Sequence, residues 1–371
     1  MNFIRLNLFF FLLILSFSGV HQDIGENLKK INKFSNHHSL LAVNGIFGNS
    51  FNNCPEEAVS ADSTDTALLK TAREVLRISN EAERFWPSYW NEFPPFIIAE
   101  SEKTVLLVTH NEPPALFKPF CGDNFPEELK GISYVVRGEI PDLYASRGRF
   151  DLNYVVGKDT LTAVSIQETL PGTIEFFFHE AFHAFQHRVF PERDQVEPAT
   201  QEIYSSKKYR EYDTIERKLL SEIISLPPGN KSRNLLRAYV TIRQQRLMNI
   251  SENARDAERE IERTEGTAQL ISEYAGLYLP STEDDDTLGA RIQHLLQSNY
   301  ENRFNQQLFS YRSRLYGTGA ALSYILDLYD TNWQHQLLEG MFLDEILQAE
   351  LNLKLIQDQS ELENLIHPVI K

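Results

Sequence analysis

FFFHEAFHAFQHRVF, Phe176 to Phe190, carries three histidines four residues apart. On an α-helix, positions i and i+4 lie one above the other, so His179, His183 and His187 share a face. Glu180 follows the first histidine directly. Phe176, Phe177, Phe178, Phe182 and Phe185 fall on adjacent faces, which predicts a helix buried among apolar neighbours. The stretch is either an aromatic core helix that happens to hold histidines or a helix built to carry a metal ion. A buried His-Glu-His face needs compensation, and a metal provides it. Two imidazoles one turn apart suit two ligands on one zinc ion. The intervening glutamate can reach a water beside the ion without binding the ion, and can take that water's proton. HExxH thus encodes two ligands, His179 and His183, and one base, Glu180, in five residues. His187 lies a turn further on, too far along to share the ion, and reads as a supporting or surface residue.

Working outward, Thr173 is the expected cap of this helix and Pro191 its stop. Before it, apolar positions from Ser63 to about Phe85 recur at helical spacing. Short β-prone runs follow at Phe96, Thr104, Ile132 and Leu161, separated by turn residues such as Asn111 and the Pro113–Pro114 pair. After Pro171 the pattern is helical. One helix spans about Arg210 to Ser225, and a longer stretch runs from Ser232 to about Leu279 with a break near Asn249. Pro280 and an acidic STEDDD run interrupt it, and further helices follow from Leu288. The expected fold class is α+β. A small α/β lobe, 63–170, precedes a predominantly helical lobe, 171–371, with the site between them.

The chain has 371 residues, 42% of them apolar, which is ample for a folded globular protein. Its formal net charge of −16 argues against a nucleic-acid binder, whose affinity would rest on clustered Lys and Arg. Arg5 followed by an apolar run from Leu6 to Phe17 reads as a signal peptide over residues 1–22, with cleavage expected between Ser18 and Gln22. No later stretch is apolar for long enough to span a bilayer. The expected location is therefore secreted or periplasmic, without stable membrane insertion once the signal is removed. Residues 23–62 lack any steady period and read as loosely structured. The only cysteines, Cys54 and Cys121, form either one disulfide or two buried thiols.

A catalytic zinc ion usually has three protein ligands and one open position. The extended motif HExxHxxGxxH would put glycine at 186 and histidine at 189, and Gln186 and Val189 exclude it. A later carboxylate is the other solution. Glu202 has the shorter spacing, with eighteen residues between it and His183. Glu265 has the helical context: in ERTEGTAQLISEYAG, Gly266 and Ala268 leave room for close approach, so that the carboxylate can dock against the HExxH helix.

HEAFH followed much later by EGTAQLISEY resembles the gluzincins, the thermolysin-like zinc metallopeptidases. The resemblance covers these two segments only, and the spacing to Glu265 is much longer than in thermolysin. It implies zinc held by His179, His183 and Glu265, with Glu180 as base. Glu258, Glu262 and Glu273 would then be supporting or solvated carboxylates. It also implies an oxyanion donor after the Glu helix, for which Tyr316 and Arg314 are the candidates, beside an expected glycine turn at Gly317 and Gly319. Finally, it implies an edge strand that pairs with extended substrate, with LTAVSIQ, Leu161 to Gln167, in the right place. The activity implied is hydrolysis of peptide bonds in a peptide or protein substrate. Two alternatives stay open on sequence: a non-catalytic metal-binding or interaction protein of the same fold, and a metal-dependent hydrolase of another bond.

Overall fold

Alternation decides the sheet. In the computed structural model, Phe96, Ile98, Leu106, Val108, Val135 and Val164 pack into the main core with the helices, while Ile97, Ala99, Val105, Leu107, Val136 and Ala163 pack with Phe117 in a smaller core on the opposite face. Both faces are covered, which explains why these runs read as continuous apolar stretches. The structure describes residues 54–137 and 152–371, apart from 56, 91–93, 102–103, 114, 123–124, 157–158, 168, 192–205, 281–285 and 298–306. The expected signal peptide, most of the loose N-terminal segment, nearly all of the acidic run and Glu202 lie outside the described residues.

The strands are β1 (Val59–Ser60), β2 (Phe96–Ser101), β3 (Thr104–Val108), β4 (Lys118–Cys121), β5 (Ser133–Arg137), β6 (Leu152–Val156) and β7 (Asp159–Ser165). Their order across the sheet is β1-β4-β5-β3-β2-β7-β6. Neighbours are antiparallel except β2 with β7, in register Phe96↔Thr162 and Ile98↔Val164, and the short pair β1 with β4. The LTAVSIQ run therefore does not form an edge. As β7 it pairs with β2 on one side and β6 on the other, and among the described residues β6 is the edge on that side, with β1 at the opposite edge.

Helix α1 (Thr66–Ser79) precedes the strands, and β7 leads almost directly into α2 (Leu170–Val189), the HExxH helix. Thr169, not Thr173, caps α2: its Oγ1 accepts from the Gly172 N–H at 3.1 Å. Pro171 explains the earlier start, since its fixed φ suits a first helical turn and its missing N–H costs nothing there. Thr173 instead lies inside the helix and accepts from the Gln167 N–H at 2.9 Å. Helices α3 (Lys207–Ile224), α4 (Asn230–Leu247), α5 (Glu252–Ile261), α6 (Thr267–Leu277), α7 (Leu288–Gln297), α8 (Gln307–Leu328), α9 (Trp333–Leu338), α10 (Leu343–Glu350) and α11 (Gln359–Ile370) follow. The break expected near Asn249 separates α4 from α5. Residues Asn53–Lys371 form a single compact unit of mixed α+β content, and one core runs from the sheet through α1 and α2 into the helices. Among the described residues no helix is long and apolar enough to cross a membrane.

Aromatic packing fixes α2. Phe177, Phe178 and Phe182 are fully buried. Trp86 meets Phe182 edge-on at 5.1 Å and Trp333 at 5.0 Å, and Phe96 meets Phe177 at 5.2 Å. Such pairs add about 0.5–1.5 kcal/mol each beyond the area they bury. Cys54 and Cys121 form a disulfide across 67 residues of sequence, a bond suited to an oxidising compartment. A loop of that length gives an upper figure of about 4 kcal/mol in the chain-entropy treatment. The Cys54→Ser/Cys121→Ser double variant is expected to lower unfolding stability by about 2–4 kcal/mol in urea titration. An unchanged midpoint would show that the bond does not constrain the unfolded chain.

Candidate metal centre

The second element of the site is a deformed helix. Between α5 and α6, Glu262–Gly266 forms one π-helical turn. A π turn inserts one extra residue into the helical ladder and so shifts the face on which the next residues emerge. Glu265 lies on it. Its Oε2 is 3.3 Å from His179 Nε2 and 3.2 Å from His183 Nε2, and the two imidazole nitrogens are 3.1 Å apart. Three ligand-type atoms from two separate helices thus form a nearly equilateral triangle. Donors about 2.0–2.1 Å from a tetrahedral zinc ion sit about 3.3–3.4 Å from one another, so the triangle has the size of one face of such a site. Glu180 is buried beside it, and its carboxylate and the two imidazoles offer atoms within 4.8 Å of one another. His179, His183 and Glu265 could therefore hold a metal ion, with the Glu180 carboxylate close beside them. His187 is exposed and stands outside the triangle.

Close packing sets this geometry. Gly266 does give close approach, but to α8 rather than to the HExxH helix. A Cβ at Gly319 would lie 2.8 Å from the Gly266 Cα and collide with the Glu262 carbonyl. Glu262 is pinned by Arg243, with Nη1 3.0 Å from Oε1, and by the Thr318 hydroxyl at 2.8 Å. Arg243 also holds Asp344 at 3.0 Å, while Arg246 bonds Glu216 and Glu258. All of these groups are buried. Glu258 and Glu262 are thus members of an ion-pair cluster behind the π turn. Glu273 is buried too, bonded to Gln269 at 2.7 Å and facing Arg291 at 3.4 Å.

Gly317 and Gly319 form no turn. They lie within continuous α8, where Gly319 faces the π turn with no room for a side chain and Gly317 faces the backbone of Leu295 on α7. On that helix Arg312 and Tyr316 are one turn apart. Arg312 Nη2 donates to Glu265 Oε1 at 2.6 Å, leaving Oε2 for the histidines. Tyr316 stacks on His179, with centroids 5.8 Å apart and planes 15° from parallel, and it lies beside Arg312 and Glu265. Arg314 does not join them. It pairs with Asp213 and lies over the Tyr209 ring at 5.1 Å, within the ion-pair cluster. Helical phase explains the difference, because a residue two positions on points to a different face. Sequence reasoning missed Arg312, although its spacing from Tyr316 was a readable signal. It also missed Gln186, whose Oε1 accepts from His183 Nδ1 at 2.6 Å, three residues along the same face.

Burial raises a carboxyl, but His183, the hydrogen bonds from both histidines and Arg312 overcome this and hold Glu265 well below its usual range. Burial lowers the His179 imidazole, and its hydrogen bond to Glu265 only partly restores it. Burial also opposes charge on His183, yet Glu265, Glu180 and Gln186 lift it to about 9. Burial, reinforced by Glu265, keeps the Tyr316 phenol protonated, with Arg312 acting in the opposite sense. The centre therefore favours positive charge beside Glu265. A proton on His183 can supply it, and so can a cation.

Comparison with family models, curated proteins and solved structures gives no match to the chain. Gly319→Ala is expected to force α8 from the π turn and cost about 1–3 kcal/mol by overpacking. Urea unfolding checks this, and an unchanged midpoint would contradict so tight a crossing.

Proposed function

We propose that the chain is an exported zinc-dependent peptidase of the gluzincin type. One observation carries this reading: Glu265, 82 residues beyond His183, places a carboxylate oxygen within 3.3 Å of both HExxH imidazoles. Chance surface histidines have no reason to meet a buried carboxylate from a second helix. The donor set, two imidazole nitrogens and one carboxylate oxygen, fits zinc and is a common ligand combination at catalytic zinc ions. The finer arrangement, a sheet-bearing lobe and a helical lobe flanking the site, belongs to this proposal. So does export, which the disulfide and the expected signal peptide support.

When bound, zinc supplies Lewis acidity, easing deprotonation of water and charge on the carbonyl oxygen. His179, His183 and Glu265 would hold it. Glu180 takes the proton of the attacking water on a carboxylate oxygen and delivers it to the leaving amine. Tyr316, kept protonated, donates its hydroxyl to the developing oxyanion. Arg312 holds Glu265 by Oε1 and so keeps Oε2 aimed at the histidines. An extended substrate would pair with β6, the edge strand, rather than with β7.

The first test is metal content, by elemental mass spectrometry after dialysis against metal-free buffer. About one zinc per chain is expected in the wild type, lost in Glu265→Ala. No zinc, even after add-back, would end the proposal. On a degenerate peptide library, Glu180→Gln should keep its zinc and lose about 100- to 10,000-fold in rate. Full activity in that variant would remove Glu180 as the base. Tyr316→Phe should lower kcat by about 100-fold with zinc content intact. If only KM moves, Tyr316 binds the substrate rather than the transition state. A parallel panel of esters and phosphoesters separates peptide cleavage from hydrolysis of another bond.

A further inference from the structure

We infer that Gln186 is a positioning residue: it transmits the orientation of a backbone carbonyl in the π turn to His183 and thereby sets which imidazole nitrogen is free to bind metal. The inference rests on the metal reading above and adds a residue to it.

Gln186 is buried, 5% exposed, and stands between the two ligand-bearing helices. Its amide nitrogen donates to the Thr264 carbonyl at 2.7 Å and to Thr267 Oγ1 at 2.8 Å. The carbonyl can only accept. The Thr267 hydroxyl gives its own proton to the Arg263 carbonyl at 2.6 Å, so it too presents a lone pair. Both partners being acceptors, the NH2 end of the amide must face them. Its oxygen is left facing His183 Nδ1 at 2.6 Å. An amide oxygen only accepts, so Nδ1 carries the proton. In the neutral ring the lone pair then belongs to Nε2, the atom that meets His179 and Glu265. The opposite tautomer would aim an N–H at the ion.

The residue type follows from this chain of bonds. A glutamate at 186 could still accept from Nδ1, but it has no protons for Thr264 and Thr267 and would set a charge against the Thr264 carbonyl. A leucine loses both functions. Because the same amide ties α2 to the residue beside Glu265, it also fixes the separation of the two ligand helices.

The test uses the full chain labelled with 15N-histidine. Two-bond 15N–1H couplings assign the His183 proton, and competition against a zinc chelator measures affinity. At a pH where the His183 ring is neutral, the metal-free wild type should show a slowly exchanging proton on Nδ1 and none on Nε2. Gln186→Leu and Gln186→Glu should each weaken zinc binding about 10- to 100-fold. Gln186→Leu should also lose the protected Nδ1 signal while the far-UV spectrum stays native. A lone pair on Nδ1 in the wild type, or zinc affinities within about twofold in both variants, would overturn the inference. Wild-type protein that binds no zinc would sink the metal reading alone. The Nδ1 proton in the metal-free protein then decides the inference by itself: present and lost in Gln186→Leu, it stands, and absent, it falls. That wild-type measurement remains decisive should either variant fail to fold.

Discussion

The arrangement turns on a carboxylate in a place where a carboxylate should not be. Glu265 is 88% removed from solvent at its side chain, on a helix packed against the HExxH helix. Leaving such a group charged and unpaired would cost several kcal/mol, so the surroundings have to supply positive charge or hydrogen-bond donors. They do so asymmetrically. Arg312 serves one oxygen and the two imidazoles serve the other. Each supporting feature keeps that division intact. The π turn sets the face from which Glu265 emerges, the glycine crossing brings α8 close enough for Arg312 to reach, and the Arg243–Glu262 pair stops the turn from slipping. The buried ion pairs behind it add little net stability by themselves. What they contribute is position, since a charged group with two good partners has few other places to go.

Much of this was legible in sequence, and the failures share one cause. His179, Glu180 and His183 follow from helical periodicity, which needs only local information. Glu265 is favoured by its helical context and by the gluzincin resemblance, although the small residue beside it, Gly266, packs on α8 rather than on the HExxH helix. What sequence could not provide was phase across an irregularity. Reading Gly317 and Gly319 as a turn severs Arg312 and Tyr316 from the helix that aligns them, and makes the nearer Arg314 look like the partner. A glycine inside a helix costs about 1 kcal/mol relative to alanine, so a turn is the ordinary expectation. The reason lies in segments distant in sequence: Gly319 packs on the backbone of Glu262–Gly266 and Gly317 on that of Leu295. The π turn itself leaves no mark in residue type.

The sheet shows the same limit. The four strongest β-runs became strands because apolar alternation on both faces marks a buried strand. The strands left unread were β1, two residues long, β4, which holds Pro119, and β6, which holds Asn153. Sheet order was beyond reach, because β2 and β7 pair in parallel across some sixty residues of chain. Without that order β7, adjacent to the HExxH helix in sequence, looked like the edge. The outermost place belongs to β6, paired to β7 as a short antiparallel hairpin.

The electrostatics of the centre separate it from a metal site that builds its own fold. In small zinc modules, binding and folding are one event, because nothing else brings the ligands together. Here the histidines are held by an aromatic core that owes nothing to an ion, and Glu265 by a helix crossing and a buried ion pair. The charge that Glu265 requires is available without a metal, since His183 gains a proton readily beside it. Under the zinc proposal a cation would take the place of that proton and meet groups already positioned by the fold. A dication would replace one proton, leaving the centre one positive charge richer within a frame held by the aromatic core and the helix crossing. In the same proposal Glu180 and Tyr316 would act from helices that this packing already fixes, Glu180 on α2 and Tyr316 on α8, which is what a preorganised site requires.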